Sequence, residues 1–143
     1  MKLAMTSAEC VRELTMYCLR RRNTCFEGWE PRIVFRYIAF HFLAGTIGII
    51  KEGRAILGIG IAYSGPPSYF REREGKQFDW TLPAPGSALF MAEIIASKRA
   101  VPKLWKLALE RYPWISTVLT YRRGKLVELH LSTIGRLARM EDA

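Results

Sequence analysis

The fold is decided by the stretch ALFMAEIIAS, residues Ala88–Ser97, which runs almost directly into a second segment, Val101–Tyr112. A short apolar run of this kind predicts a buried strand. Pro102 in the first turn of the second segment, with apolar residues at helical spacing after it, predicts a helix. Two further strands are predicted at Ile115–Arg122 and Leu126–Leu131. A strand, a helix and a strand in this order imply that parallel strands are joined by a crossover helix.

The residues before this unit predict two helices, a hairpin and a long loop. An amphipathic helix is expected over Ser7–Arg22, with Ser7 as its N-cap, and an apolar helix over Pro31–Ala44. The hairpin pairs Thr46–Ile50 with Ala55–Tyr63. The loop, Ser64–Ser87, is rich in Gly, Pro and charge, as loops that cover a substrate often are.

Glycine marks one face of the second hairpin strand. Gly58, Gly60 and Ala62 leave that face nearly bare, whereas its other face is apolar. A bare strand face permits close approach by a ligand or by a packed helix. Helix packing is the preferred interpretation.

The element order predicts an α/β (α+β) fold with a mixed, mostly antiparallel sheet flanked by helices. The chain of 143 residues is expected to form a single domain, 1–143. Thr133–Ala143 is expected to be a short polar helix or a frayed tail.

Composition favours an intracellular protein with an anionic partner. The net charge is +9 and the isoelectric point is near 9.8, which suits phosphate groups, nucleic acid, acidic proteins or a merely solubilising surface. Cys10, Cys18 and Cys25 lack the spacing of a zinc site or a redox pair, so reduced thiols in the cytoplasm are expected and no metal. No signal peptide is recognised, and the apolar run Tyr37–Ile50, about 14 residues, falls short of the roughly 20 that span a membrane.

Glu93 is the first catalytic candidate. A carboxylate within an apolar strand is costly to bury unless it is paired or protonated, and a raised carboxyl pKa suits a general base. The alternative is that Glu93 points to solvent or pairs with an arginine.

The turn between the central strand and its helix is a candidate anion site. Backbone N–H groups at a helix start and the helix dipole favour phosphate. Lys98, Arg99 and Lys103 add positive charge beside Val101.

The second half of the chain resembles the toxin-activating lysine acyltransferases. The matching segments occur in the same order: Asp79-Trp80-Thr81; Phe90-Met91-Ala92-Glu93-Ile94-Ile95-Ala96; Leu104-Trp105-Lys106 through Arg111-Tyr112-Pro113; and Gly124-Lys125-Leu126-Val127-Glu128-Leu129-His130. In that family the second segment carries the catalytic aspartate, and the last one has its Gly-Lys, Glu and His at the same spacing.

This resemblance implies an acetyltransferase-like fold and transfer of an acyl group from a thioester to an amine, such as a protein lysine. Glu93 would be the base and His130 a further catalytic residue. The donor would be acyl-CoA or an acidic acyl carrier protein, used as a co-substrate and not tightly bound. Its thioester would lie at Ile95 and Ala96, and its phosphate arm near Lys98, Arg99, Val101 and Lys103.

Two departures from the family keep a second hypothesis open. The family pairs its aspartate with a histidine before the second helix, but Asn23–Glu30 contains none, and Cys25 is the only nucleophile there. The superfamily's phosphate loop has glycines where Pro102 and Leu104 stand. The alternative is therefore an inactive acetyltransferase-like fold acting as a basic binding or structural protein, for nucleic acid or an assembly partner.

Overall fold

The computed structural model of the protein describes residues 6–139. One five-stranded sheet runs in the order β1-β2-β3-β4-β5. The strands are β1 (Ile47–Glu52), β2 (Ala55–Gly65), β3 (Ala88–Ala96), β4 (Thr117–Arg122) and β5 (Lys125–Leu129). Only β3 and β4 are parallel, and the other neighbours are antiparallel. The predicted mixed, mostly antiparallel α+β fold is confirmed.

Five α-helices accompany the sheet over the described residues. They are α1 (Ser7–Arg20), α2 (Pro31–Ala44), α3 (Pro67–Glu72), α4 (Val101–Arg111) and α5 (Leu131–Arg139). The N-cap of α1 is Thr6 rather than Ser7, because the Thr6 hydroxyl accepts a hydrogen bond from the N–H of Glu9 at 3.1 Å. Gly45 ends α2 in the left-handed conformation, at φ 74°.

The helices cover both faces of the sheet. On one face, α1 and α2 bury Leu14 and Ile38 against Ile59 and Ile61 of β2. On the other face, Trp105 of α4 belongs to a second apolar cluster. A sheet whose two faces are both apolar needs helices on each side, so the layers are helix, sheet and helix.

Glycines in β1 and β2 bring α4 close to the sheet. A methyl group added at Gly60 of β2 would lie 3.4 Å from Leu104 of α4, and one added at Gly48 of β1 would lie 3.7 Å from Leu107 of the same helix. The preferred interpretation of the bare strand face, tight helix packing, is confirmed.

Two segments differ from the sequence prediction. The loop expected over Ser64–Ser87 is wrong at its start, because β2 continues to Gly65 and α3 follows. Of the two alternatives for the segment from Thr133, the helix is confirmed as far as Arg139, but it begins at Leu131 and is not a polar tail, because Ile134 and Ala138 are buried on the α4 side of the sheet. Residues 140–143 of that tail lie outside the described residues.

The two parallel strands pair over only part of their length. Paired residues run from Ala88 with Thr117 to Met91 with Thr120, where the Thr120 hydroxyl donates to the Met91 carbonyl at 2.8 Å. The rest of β3, from Ala92 to Ala96, has no partner on that side within residues 6–139. Unpaired strand edges offer N–H and C=O groups to a ligand.

None of the helices between residues 6 and 139 is long and apolar enough to cross a bilayer.

Candidate active site

A β-bulge sets the direction of Glu93. Tyr63 pairs with Phe90 and Ala62 with Met91, but the next residue of β2, Ile61, pairs with Glu93. Ala92 is therefore an extra residue in β3. Strict alternation would have placed Glu93 on the same face as Met91, towards α4, and the bulge turns it to the α1–α2 face instead.

The carboxyl of Glu93 is partly buried on that face. Burial raises its pKa from 4.5 to about 7, and a hydrogen bond with the Cys25 thiol partly offsets this rise. No ion pair shorter than 4.0 Å joins Glu93 to a residue between 6 and 139, so the predicted alternatives of full exposure or an arginine partner do not describe it. A carboxyl that titrates near neutral pH can both accept and return a proton.

Cys25 lies beside Glu93, on the segment between α1 and α2. Burial and the neighbouring carboxyl both raise the pKa of its thiol well above its usual range. Because the thiolate is the nucleophilic form of cysteine, the thiol is a weak nucleophile here. A protonated thiol can instead donate a hydrogen bond to the carboxylate of Glu93.

One cavity next to Glu93, which we call the arginine cavity, is strongly basic. It has a volume of about 600 Å³ and is lined by three arginines and polar residues on one side and by the end of β3 on the other: Arg20, Arg21, Arg22, Asn23, Thr24, Cys25, Glu93, Ile94, Ile95 and Ala96. Arg21 stacks on Tyr17, 5.0 Å from its ring centre. Arginine side chains suit phosphate groups.

A second cavity, the aromatic cleft, lies on the other side of Glu93. It has a volume of about 490 Å³, and nine of its fifteen lining residues are aromatic: Trp29, Tyr37, Tyr63, Tyr69, Phe70, Phe78, Trp80, Phe90 and Tyr121. The loop before β3 closes it, since Phe78 and Trp80 lie 5.5 and 6.2 Å from the ring of Tyr37. Glu93 thus separates a basic cavity from an apolar one.

The predicted phosphate residues divide into two groups. Ile95 and Ala96 line the arginine cavity, but Lys98, Arg99, Val101 and Lys103 line neither that cavity nor the aromatic cleft. The guanidinium of Arg99 pairs with Glu52 at 3.0 Å, on an exposed part of the surface. A phosphate role for these four residues stays a prediction.

The two histidines lie apart from Glu93. His130 is exposed after the end of β5, whose last residue, Leu129, pairs with Val118 beside Leu89. Leu89 precedes Glu93 by four residues on β3, so His130 lies far along the sheet from Glu93. A catalytic role for His130 stays a prediction. His41 is fully buried, its Nδ1 lies 2.7 Å from Oγ1 of Thr46, and burial lowers its pKa to about 4, as a neutral core histidine requires.

Metal chemistry has no support in the part of the chain that the structure describes. Between residues 6 and 139, no group of three or more His, Cys, Asp or Glu side chains could hold an ion.

Known proteins supply no family assignment. No protein-family model matches the chain, and no curated protein matches it significantly. The assignment of function therefore starts from the two cavities and from Glu93.

The sequence prediction missed the aromatic cleft. For the three arginines the sequence favours a solvated helix end over a phosphate contact, whereas the structure places them in the lining of a cavity. Arg20, Arg21 and Arg22 are adjacent in sequence, and such a run more often ends a helix in solvent than lines a cavity. The cleft collects side chains from α2, β2, β3 and β4. The only local sequence signal for the cleft is the presence of Phe78 and Trp80 in a polar loop. These two residues indicate that the loop packs on the rest of the domain, but they do not identify the residues that it contacts.

Proposed function

We propose that the protein transfers an acyl group from a phosphate-bearing thioester, acyl-CoA or acyl carrier protein, to a primary amine. The observation that carries this proposal is the place of Glu93, on a bulge between the arginine cavity and the aromatic cleft. The acetyltransferase-like character of the fold and the relation to toxin-activating acyltransferases belong to the same proposal.

The arginine cavity is the proposed donor site. Its three arginines attract the phosphates of the donor. In the proposed complex the thioester carbonyl lies against the free edge of β3 near Ile95. An acidic carrier protein would meet the same basic surface.

Glu93 is the proposed general base. Its ionised carboxylate takes a proton from the acceptor ammonium, and the freed nitrogen lone pair attacks the thioester carbonyl. The C–N bond forms, the C–S bond breaks, and the departing thiolate takes up the proton that Glu93 returns. The second proton lost by the nitrogen, as the neutral amide forms, passes to solvent. Cys25 positions the carboxyl by a hydrogen bond and forms no covalent intermediate.

The test follows thiol release and product mass with acetyl-CoA, octanoyl-CoA and octanoyl carrier protein, each with an amine acceptor. Glu93→Gln should lower kcat by about 100-fold or more, the usual contribution of a positioned base. The KM for the donor should stay within about threefold, because the arginine cavity is intact. Glu128→Gln, an exposed change on β5, is the matched control.

Two outcomes would contradict the proposal. Turnover that survives Glu93→Gln would show that Glu93 is not the general base. Absence of thiol release with every donor, together with nucleic-acid binding that weakens steeply with salt, would instead favour the basic binding protein.

A further inference from the structure

The aromatic cleft has the size and lining of a small-molecule site. Its floor is the cross-strand pair Tyr63 and Phe90, whose ring centres lie 5.6 Å apart. Its side is built by Tyr37, Phe78 and Trp80, which pack edge to face. About 490 Å³ lies within the range of cavities that enclose small ligands.

Two tyrosines that line the cleft have hydroxyls without a protein hydrogen bond among residues 6–139. Tyr37 and Tyr63 are 5% and 8% exposed as whole residues, but neither hydroxyl oxygen is a fully buried atom without a partner, so both are open to the cleft. By contrast, the hydroxyls of Tyr17 and Tyr112 donate to backbone carbonyls, both at 3.1 Å. Two hydroxyls that line one cavity and are not used by the protein can bond to a polar group of a ligand.

Glu93 completes a set of three oxygen-bearing side chains. Glu93 lines the same cleft as Tyr37 and Tyr63, so its carboxyl and the two hydroxyls face one cavity. A primary ammonium has three N–H donors and one positive charge. Two hydroxyl oxygens and one carboxylate match that donor count and that charge.

The rings around this set favour a flat apolar body attached to the ammonium. Trp29 and Trp80 line the cleft with Tyr37 and Phe78. Aromatic faces attract ammonium groups and stack on other rings. Two cations, Arg73 and Lys76, also line the cleft, and the charge of Arg73 is balanced by Asp79 at 3.1 Å. Glu93 is the one carboxylate among the lining residues, so an ammonium is directed to it.

We propose that the aromatic cleft binds a small arylalkylamine, with its ammonium held by Glu93, Tyr37 and Tyr63 and its ring placed against Phe78 and Trp80. The inference rests on the proposed function for the fate of the amine, which would be the acyl acceptor. The binding itself requires no donor and is tested without one.

The first test uses the wild-type protein and its four tryptophans. Phenethylamine is the probe, 2-phenylethanol lacks the ammonium, and the methylamide of Nα-acetyl-lysine has the ammonium without the ring. Phenethylamine should shift the indole N–H resonances of Trp29 and Trp80, which line the cleft. Trp105, on the opposite face, and Trp114, whose indole donates to the Gly86 carbonyl, are internal controls.

The relative affinities of the three probes distinguish a small arylalkylamine from a protein lysine as the ligand of the cleft. At pH 8 phenethylamine should bind at least about tenfold more tightly than either other probe. Equal affinity for the lysine probe would overturn the inference in favour of a protein lysine. Shifts confined to Trp105 and Trp114 would also overturn it.

Variants then test the ammonium contacts. Glu93→Gln should weaken phenethylamine about tenfold and leave 2-phenylethanol within about twofold. Tyr37→Phe and Tyr63→Phe should each weaken phenethylamine about threefold, whereas Tyr112→Phe, which removes a hydroxyl outside the cleft, should not. Unchanged phenethylamine affinity in Glu93→Gln would refute the site.

Failure of this inference is distinguishable from failure of the proposed function. Tight phenethylamine binding without acyl transfer from any donor would contradict the function and leave the site intact. Transfer to a lysine peptide without phenethylamine binding would contradict the inference alone.

Discussion

The Cys25 thiol is a hydrogen-bond partner of the Glu93 carboxyl, although 68 residues separate them in sequence. The bond stabilises the ionised carboxylate and opposes the effect of burial. It also connects the segment between α1 and α2 to the bulge of β3. The thiol therefore favours the ionised form of the central carboxyl, although burial has the larger effect on its pKa.

Removal of the thiol should raise the pKa of Glu93. In Cys25→Ala the ionised carboxylate loses a donor, so its pKa should rise above about 7, whereas Cys25→Ser should keep it near the wild-type value. The measurement is an NMR titration of the Glu93 side-chain carbonyl carbon. The same titration curve in Cys25→Ala and in wild type would show that the hydrogen bond has no energetic effect.

Stability should depend on pH through Glu93. The folded pKa of about 7 lies above the ordinary 4.5, so the folded state favours the protonated carboxyl. Its stabilising contribution is complete below about pH 4.5 and is lost as pH rises through 7, by up to about 3 kcal/mol. The glutamine in Glu93→Gln cannot ionise. The unfolding free energy of this variant should therefore increase relative to that of the wild type as pH rises from 4.5 to 8.

Chemical unfolding at several pH values checks this difference. Glu128→Gln is the control, because Glu128 is exposed and its replacement should leave the pH profile parallel to that of the wild type. A Glu93→Gln profile that is also parallel would mean that burial does not perturb the carboxyl.

Local signals explain why most elements could be predicted. Pro31 and Gly45 mark the two ends of α2, and the helix bounds Pro31–Ala44 match the prediction. Pro102 and Pro113 bracket α4 in the same way. The apolar run of β3 required a buried strand whatever its neighbours.

The candidate site depends on information that is not local. The direction of Glu93 is set by the register of β3 against β2, and the extra residue Ala92 has no sequence signature. Similarly, Cys25 and the end of β3 meet only through packing of the first helices on the sheet. The apolar residues on either side of Glu93 in the sequence are enough to single it out as a candidate. Its neighbours in space, Cys25 and the two cavities, become visible only in the folded structure.

Close packing against β3 and the turn before α4 should make Gly58 intolerant of a side chain. A methyl group there would lie 2.5 Å from Cβ of Ala96, its cross-strand partner, and 3.2 Å from Cβ of Ala100. Gly58→Ala should therefore lower the unfolding free energy by about 1–3 kcal/mol. Gly48→Ala is the matched control, since its nearest atom, in the Leu107 side chain, would lie at an ordinary 3.7 Å. Equal stability of both variants would show that Gly58 does not pack against Ala96 and Ala100 as described.

Docking of α5 should make Ile134 a core residue. Ile134 is 4% exposed and belongs to the cluster that contains Trp105 and Ile115, whereas Leu131 in the same helix is 37% exposed. Truncation of a buried isoleucine removes apolar contacts and leaves a cavity, so Ile134→Ala should cost about 2–4 kcal/mol in unfolding free energy. Leu131→Ala, measured in the same denaturant titration, should cost less than about 1 kcal/mol. If this segment were a frayed tail, the two alanine variants would unfold at the same denaturant concentration.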